Sequence, residues 1–238
     1  CNWALTNRLL KSSQFRRQAQ STLSHLQKHP SRPHSATMTL IYVKDEHMTI
    51  KSLIDMVDKA PKLDVFKLEE VELDGTENDI IDLSKALRGH LCLKEFHITS
   101  VTLTDSKSTL DLVVSMVLVA VPSLTLIKLE KTPVTASALA TVGYCNSLKS
   151  LLVPNSGLTD KDAIKLAQAV TESASIQLID ITGNDLTDLG CVAFSTALNK
   201  NTSIQTIRLE GNGKISGEQR SLVETTLRER AGGMAQAA

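Results

Sequence analysis

The 238-residue sequence predicts an α/β solenoid, in which short parallel strands line one side of an array and helices return along the other. One apolar pattern recurs six times, in copies that start at residues 63, 93, 124, 148, 176 and 204. Positions 1 to 6 of each copy alternate as a short strand does, while the second half has apolar residues at helical spacing. Because neither half can bury its apolar face alone, the units are expected to stack into a parallel sheet covered by helices.

Each unit has apolar residues at positions 1, 4, 6 and 11, followed by a helical pair. For the six units in chain order, the residues at positions 1, 4, 6 and 11 are Leu63/Phe66/Leu68/Leu73, Leu93/Phe96/Ile98/Leu103, Leu124/Ile127/Leu129/Val134, Leu148/Leu151/Val153/Leu158, Ile176/Ile179/Ile181/Leu186 and Ile204/Ile207/Leu209, with Ile215 one place late. The helical pairs are Leu83/Leu87, Val114/Leu118, Leu166/Val170 and Phe194/Leu198. A fainter first copy begins at Met38/Ile41/Val43. Each unit is therefore predicted to be a strand, a turn and a returning helix.

Position 9 is where the chain leaves each strand. An asparagine there can hydrogen-bond turn backbone groups that would otherwise be buried unpaired. Asn184 and Asn212 occupy this position. With the apolar pattern of residues 148–215, they make the chain resemble the leucine-rich repeat family, in its ribonuclease-inhibitor-like subtype. That resemblance implies a curved horseshoe with parallel inner strands and outer helices, and a role in holding another macromolecule.

The earlier units depart from the family pattern. Their position-9 residues are Val71, Val101 and Thr132, and the third unit is short. We expect irregular curvature or a break in the turn hydrogen bonds in this part of the array.

The array is predicted to cover residues 38–215 and to end in a capping helix within residues 216–230. Ser216 and Gln219 have the S-x-x-Q spacing of a capping box. The residues expected to face inward from this helix are Leu222, Val223 and Leu227. Residues 231–238 have no periodicity and are expected to form a mobile tail.

Residues 1–37 contain basic residues and no acidic ones. A docking helix in this segment would use Phe15, Arg16, Arg17 and Leu23. Three interpretations stay open: a capping helix followed by a linker, a mitochondrial or plastid targeting sequence, or a helix that docks on an acidic partner or on a membrane surface. Met38, directly before the array, is also a candidate initiator, which would make residues 1–37 a translated leader.

The compartment is predicted from cysteine usage and from hydropathy. Cys1, Cys92, Cys145 and Cys191 are far apart in the sequence, which favours a reducing compartment. We therefore expect an intracellular, cytoplasmic protein, with a mitochondrion or plastid as the alternative. The longest apolar run, residues 110–121, is too short to span a bilayer, so no transmembrane segment is predicted.

Several functional classes have little support in the sequence. Aromatic residues are only 3% of the chain, so stacking platforms for nucleic acid are scarce, and no nucleic-acid partner is expected. The stretch from Gly211 to Lys214 fails as a phosphate loop because Arg208 stands where the first glycine is required. His25 and His29 lack a third metal ligand. No nucleophile, base and orienting group converge, so we expect neither a cofactor nor an enzyme.

The strand positions that face away from the helices are the candidate binding site. Their charged or polar residues are Lys67, Lys94, His97, Lys128, Asp180 and Arg208. Their apolar residues, Val65, Leu126, Leu152 and Leu178, are expected to form an exposed stripe, and such patches tend to mark protein contacts. The alternative is that the charges only solvate an open face.

The sequence predicts a non-catalytic protein–protein interaction module, as a scaffold or accessory subunit of a hetero-complex. The alternative function is regulation of a small GTPase, as the resemblance to Ran GTPase-activating proteins implies.

Overall fold

The computed structural model describes residues 39–105 and 109–236, with side chains up to Arg230. The strands in these residues are β1 Leu40–Lys44, β2 His47–Thr49, β3 Val65–Glu69, β4 Glu72–Asp74, β5 Glu95–Thr99, β6 Thr102–Leu103, β7 Leu126–Glu130, β8 Ser150–Leu152, β9 Leu178–Asp180 and β10 Thr206–Arg208. The helices are α1 Ile50–Lys59, α2 Glu77–Arg88, α3 Asp111–Ala120, α4 Ala136–Ala140, α5 Asp160–Thr171, α6 Asp188–Leu198 and α7 Gly217–Gln236.

Seven strands form one parallel sheet in the order β1-β3-β5-β7-β8-β9-β10. Residues at the same position of successive units lie opposite each other, so that Phe66 pairs with Ile41 on one side and with Phe96 on the other. The predicted alternation of parallel strands and helices is confirmed, and the fainter first copy is present as β1. The parallel sheet with accompanying helices is consistent with a leucine-rich-repeat fold.

The core lies between the sheet and the helices. The helical pairs named from the sequence are buried, with at most 1% of each residue exposed. On the sheet, the rings of Phe66 and Phe96 stack with centroids 5.3 Å apart and planes 8° apart. Burying one such large apolar side chain stabilises the fold by about 1.5–3 kcal/mol.

Position 8 of every unit has a left-handed backbone. Non-glycine residues with φ near 50° hold this place in the first five units, namely Asp45, Glu70, Ser100, Lys131 and Asn155. Gly183 and Gly211 hold it in the last two, with φ of 66° and 75°. The position-8 N–H of each of the first six units donates to the position-7 carbonyl of the next unit, at 2.8–3.1 Å. The turn is thus fixed by a bond to the following unit, which offsets the cost of the left-handed conformation.

The predicted role of the position-9 asparagines is confirmed. Asn184 is 6% exposed, and its Oδ1 accepts the N–H groups of Ser156 and Leu158 in the preceding unit at 2.9 and 3.0 Å. Its Nδ2 donates to the carbonyls of Val153 and Ile181 at 2.8 and 2.9 Å. Asn212 repeats the pattern one unit later.

The first units satisfy their turns differently. Strands β2, β4 and β6 form a second, three-stranded parallel sheet directly after the position-9 residues. The Thr102 N–H donates to the Val71 carbonyl at 3.0 Å, and the Thr104 N–H donates to the Leu73 carbonyl at 3.0 Å. The break in turn hydrogen bonds expected near Val71 is therefore absent, because backbone pairing replaces the missing asparagine.

The unit that starts at Leu124 is short, as its spacing predicts. Its helix α4 has five residues, and a four-residue 3-10 turn over Thr141–Tyr144 follows.

The capping helix α7 differs from the prediction in three respects. Ser216 Oγ accepts the Gln219 N–H at 3.3 Å, but the Ser216 N–H donates to Asp188 Oδ1 at 2.6 Å rather than to Gln219. Val223 is fully buried, whereas Leu222 is 49% exposed and does not face inward as predicted. The helix continues to Gln236, six residues beyond the predicted end at Arg230.

Candidate protein-binding face

One face of the seven-stranded sheet points away from the helices, and we call it the open face. It contains positions 3, 5 and 7 of each unit, which alternate with the buried positions 4 and 6. The position-5 row runs across the sheet as Tyr42, Lys67, His97, Lys128, Leu152, Asp180 and Arg208. The position-3 row runs beside it as Leu40, Val65, Glu95, Leu126, Ser150, Leu178 and Thr206.

Glu69 is the centre of a charged cluster at the β1 end of the open face. Its Oε1 lies 2.8 Å from Lys44 Nζ, and its Oε2 lies 3.0 Å from Lys67 Nζ and accepts the Tyr42 hydroxyl at 2.9 Å. Lys67 Nζ also lies 4.7 Å from the centre of the Tyr42 ring. The hydrogen bond from Lys44, followed by that from Lys67, lowers the pKa of Glu69 to about 2. The carboxylate is therefore ionised and fully engaged within the molecule.

The other charged side chains of the open-face strands are also paired within the chain. The contacts are Glu95 Oε2 with His97 Nε2 at 3.0 Å, Lys128 Nζ with Glu130 Oε2 at 2.5 Å, and Asp180 Oδ2 with Arg208 Nη1 at 3.3 Å. Two of these pairs join residues two apart on one strand, which share a face. Each lysine or arginine of these strands thus contacts a carboxylate, so the open face offers no strong positive field to a partner.

Three leucines lie together near the middle strands. Leu126 on β7 and Leu178 on β9 flank Ser150 of β8 in the position-3 row. Leu152 lies two residues further along β8, between Lys128 and Asp180 in the position-5 row. All three leucines are partly exposed. They form a compact group on three adjacent strands, which we call the leucine patch.

Two of the predicted site residues lie elsewhere than the sequence suggests. Val65 belongs to the position-3 row but is only 7% exposed, so it is buried and does not extend the leucine patch. It is also separated from Leu126 by Glu95 of β5. Lys94 precedes β5 and lies at the end of the sheet where the strands begin, and its Nζ is 3.4 Å from Asp64 Oδ1.

The remaining predicted residues divide into two groups. Those of the position-5 row share the open face, namely Lys67, His97, Lys128, Leu152, Asp180 and Arg208. The predicted docking helix, with Phe15, Arg16, Arg17 and Leu23, lies outside the described residues.

Sequence reasoning left Tyr42, Glu69 and Ser150 out of the site. Tyr42 has the same spacing from Ile41 as Lys67 has from Phe66, so the alternation of the first copy could have identified it. The pairing of Glu69 with Lys44 needs the strand register, which the sequence does not specify. Ser150 is a small polar residue whose importance comes only from its neighbours on β7 and β9.

One cavity among the described residues is remote from the open face. It has a volume of about 480 Å³ and lies where α1 and α2 begin, beside Thr49, Gly75 and Thr76. A second cavity of about 300 Å³ lies between α5 and α6. Within residues 39–105 and 109–230, no group of three or more His, Cys, Asp or Glu side chains is placed to hold a metal ion. None of the described helices is long and apolar enough to cross a membrane.

Comparison with known proteins shows similarity in structure only. No family model matches the sequence, and no curated protein matches it. A solved structure of leiomodin-1 actin-binding site 2 has 10% identity and a TM-score of 0.46, and the match covers 79% of this chain and 92% of that one. The tropomodulin C-terminal domain of Caenorhabditis elegans has 14% identity and a TM-score of 0.45, over 79% of this chain and 96% of that one. Similarity at this level does not extend to a binding partner.

Proposed function

We propose that this chain is a non-catalytic protein-interaction module that holds a partner on the open face of its seven-stranded sheet. The observation that carries the proposal is the leucine patch of Leu126, Leu152 and Leu178, which is partly exposed on adjacent strands. Apolar side chains in the middle of a protein contact, surrounded by polar ones that exclude water, supply most of its affinity.

The geometry of stacking supports a concave open face. Neighbouring strands lie about 4.8 Å apart, whereas packed helices need about 8–10 Å. A row of strands bonded to a row of wider helices must curve with its strands on the inside, as in the ribonuclease-inhibitor-like horseshoe. The preferred partner is therefore a convex protein surface.

The charges of the open face favour protein over nucleic acid. A surface that follows phosphates presents many unpaired lysines and arginines. Here Lys44, Lys67 and Lys128 each contact a carboxylate of the same molecule. The apolar contact area is then the main source of affinity, as expected for a scaffold or accessory subunit of an intracellular hetero-complex.

The central test replaces the leucine patch with charge. Leu152→Asp together with Leu178→Asp is expected to reduce capture of the stoichiometric native partner by at least about tenfold, because two apolar contacts are lost and two charges must be desolvated. Capture is measured by quantitative mass spectrometry after affinity purification of the endogenous protein. The melting temperature is expected to stay close to that of the unchanged chain, because both side chains lie outside the core.

The matched control changes two exposed apolar residues of helix α6. Leu189 is 59% exposed and Val192 is 44% exposed, so Leu189→Asp with Val192→Asp adds the same charge away from the sheet. This control is expected to keep the partner. Early melting of the open-face variant alone, or equal capture by both variants, would contradict the proposal.

A separate assay tests the alternative function, which is regulation of a small GTPase. We expect no acceleration of single-turnover GTP hydrolysis when the purified chain is added to a panel of small GTPases. Acceleration with any member would replace the proposed module with a GTPase regulator.

A further inference from the structure

Ser150 occupies a distinctive place within the leucine patch. In the position-3 row it lies between Leu126 and Leu178, one strand away from each. Leu152 follows two residues later on the same face. A small side chain is thus surrounded on three sides by large ones. The fourth side is the end of the sheet at which β8 begins.

The spacing of the strands gives the dimensions of this site. Leu126 and Leu178 are two strands apart, which corresponds to about 9.6 Å between their backbones. Because the strand between them carries only Ser150 at this position, the spacing is expected to leave a gap between the two leucine side chains for the thickness of one aromatic ring, about 3.5–4 Å at van der Waals contact. The serine at the bottom of the gap is too short to fill it.

The bottom of the gap is polar. Within the described residues, the Ser150 hydroxyl has no side-chain or backbone hydrogen-bond partner, whereas the Ser150 N–H donates to the Thr125 carbonyl at 3.0 Å. A wholly apolar group that covered this hydroxyl would remove it from water without a replacement bond, which is unfavourable. A side chain with an apolar body and a polar tip satisfies both the walls and the floor.

We propose that Leu126, Leu152 and Leu178 with Ser150 form a socket for a single tyrosine side chain of the protein partner. The ring lies between the leucines, and the phenol hydroxyl exchanges a hydrogen bond with Ser150 Oγ. This inference rests on the proposed function of the open face and specifies the chemistry of its occupant.

A lysine beside the socket adds a preference for an acidic residue in the partner. Lys149 immediately precedes β8 and is exposed. No Asp or Glu side chain of the described residues lies within 4.0 Å of its ammonium group, unlike that of Lys128 on the neighbouring strand β7 and that of Lys94, which precedes β5. An acidic residue next to the tyrosine of the partner would therefore meet an unpaired cation. Charge complementarity of this kind raises the association rate more than it alters the equilibrium affinity.

The test uses a phage-displayed library of 12-residue peptides, selected on the full-length protein. We expect enriched peptides to share one tyrosine with an acidic residue within two positions of it. A synthetic peptide of the enriched sequence is then titrated by isothermal calorimetry beside its Tyr→Phe version. The phenylalanine version is expected to bind about 5- to 10-fold more weakly, since one hydrogen bond is lost.

Two substitutions of Ser150 test the contribution of its hydroxyl and the contribution of the gap separately. Ser150→Ala is expected to abolish the preference for tyrosine over phenylalanine, because it removes only the hydroxyl. Ser150→Leu fills the gap and is expected to weaken both peptides by at least about tenfold. Thr99→Leu is the control, because it enlarges an open-face residue of β5 at a distance from the socket. Circular dichroism melts show whether each variant is folded.

The outcomes distinguish this proposal from the proposed function. Enrichment without tyrosine, an empty selection, or unchanged peptide affinity in folded Ser150→Leu would overturn the socket. If the native partner is lost from the Leu152→Asp, Leu178→Asp variant but retained by Ser150→Leu, the open face binds without the socket. If both variants retain the native partner, the proposed function is wrong as well.

Discussion

Asn184 shows how one side chain can connect two units of the array. Its amide accepts from Ser156 and Leu158 and donates to Val153 and Ile181, all in buried surroundings. A buried backbone group that loses its partner destabilises a fold by about 1–3 kcal/mol. The contribution of this residue is therefore much larger than that of a surface amide.

We predict that Asn184→Ala lowers the free energy of unfolding by about 3 kcal/mol or more, because the N–H groups of Ser156 and Leu158 and the Val153 carbonyl lose the hydrogen bonds to its amide. Urea denaturation followed by circular dichroism measures the change. Asn146→Ala is the control, since Asn146 is exposed and is expected to change stability by less than about 0.5 kcal/mol. Equal stability of the two variants would show that water replaces the amide.

Glu69 makes part of the stability depend on pH. Its pKa is lowered from 4.5 to about 2 in the fold, so its contribution is complete above pH 4.5 and is lost as the pH falls from there to about 2. Side chains of Lys44 and Lys67 are about one third exposed, at 32% and 36%, so solvent screens the pairs. The expected contribution is therefore only about 1 kcal/mol.

We predict that Glu69→Gln loses less stability than the unchanged chain between pH 4.5 and pH 2. The neutral amide has no charge to protonate, so the difference between the two chains shrinks by about 1 kcal/mol over this interval. Denaturation midpoints at several pH values measure it. Glu224→Gln on the exposed face of α7 is the control, and the same pH response in both variants would disprove the role of the cluster.

At the scale of the element, the array uses two kinds of turn. In the last units, buried asparagines hold the turn, whereas in the first units a second parallel sheet does so. Thr132 and Ser156 lie between them at position 9, and their hydroxyls donate to carbonyls of their own or the preceding unit. From Val71 onward, the side chain at position 9 thus becomes more polar where the second sheet no longer pairs the backbone.

We predict that Val71→Asn destabilises the protein by about 2 kcal/mol, although asparagine matches the family pattern at position 9. Val71 is 1% exposed, and its carbonyl is already paired with Thr102, so a buried amide there would lack partners. Thr132→Asn is the matched comparison and is expected to be tolerated better, because Thr132 lies beyond the second sheet. Thermal denaturation measures both, and a stabilised Val71→Asn would contradict this account.

The sequence is sufficient to predict most of the elements but not all of their contacts. Apolar alternation identifies the seven strands and the row of Lys67, Lys128 and Arg208, because a period of two specifies which residues share a face. It does not predict β2, β4 and β6, because two or three residues carry too little pattern. The burial of Val65 depends on surrounding side chains that the alternation does not describe.

At the scale of the molecule, α7 closes the last unit. Val223 of this helix is fully buried, and the Cys191 Sγ of α6 lies 3.4 Å from the Gln219 carbonyl. Burial raises the pKa of the Cys191 thiol, which keeps it protonated and poorly reactive. The thiol therefore reports whether the cap is closed.

We predict that Val223→Asp opens the cap and increases the rate at which Cys191 reacts with a thiol reagent by at least about tenfold, because a charge cannot remain in the core. Mass spectrometry of the labelled peptides measures the rate, with buried Cys145 as an internal reference. Leu222→Asp is the control, because its site is 49% exposed. Equal labelling of Cys191 in both variants, or parallel labelling of Cys145, would contradict local opening.

The left-handed turns imply an order of events during synthesis on the ribosome. The N–H of Glu70 bonds to the carbonyl of Thr99, and the N–H of Asn155 bonds to that of Thr182, in each case a residue made later. A unit of the nascent chain therefore cannot complete its turn until the next strand has left the exit tunnel. Folding should trail translation by one unit along the whole array, and a ribosome stalled within a unit would leave the preceding one unfinished.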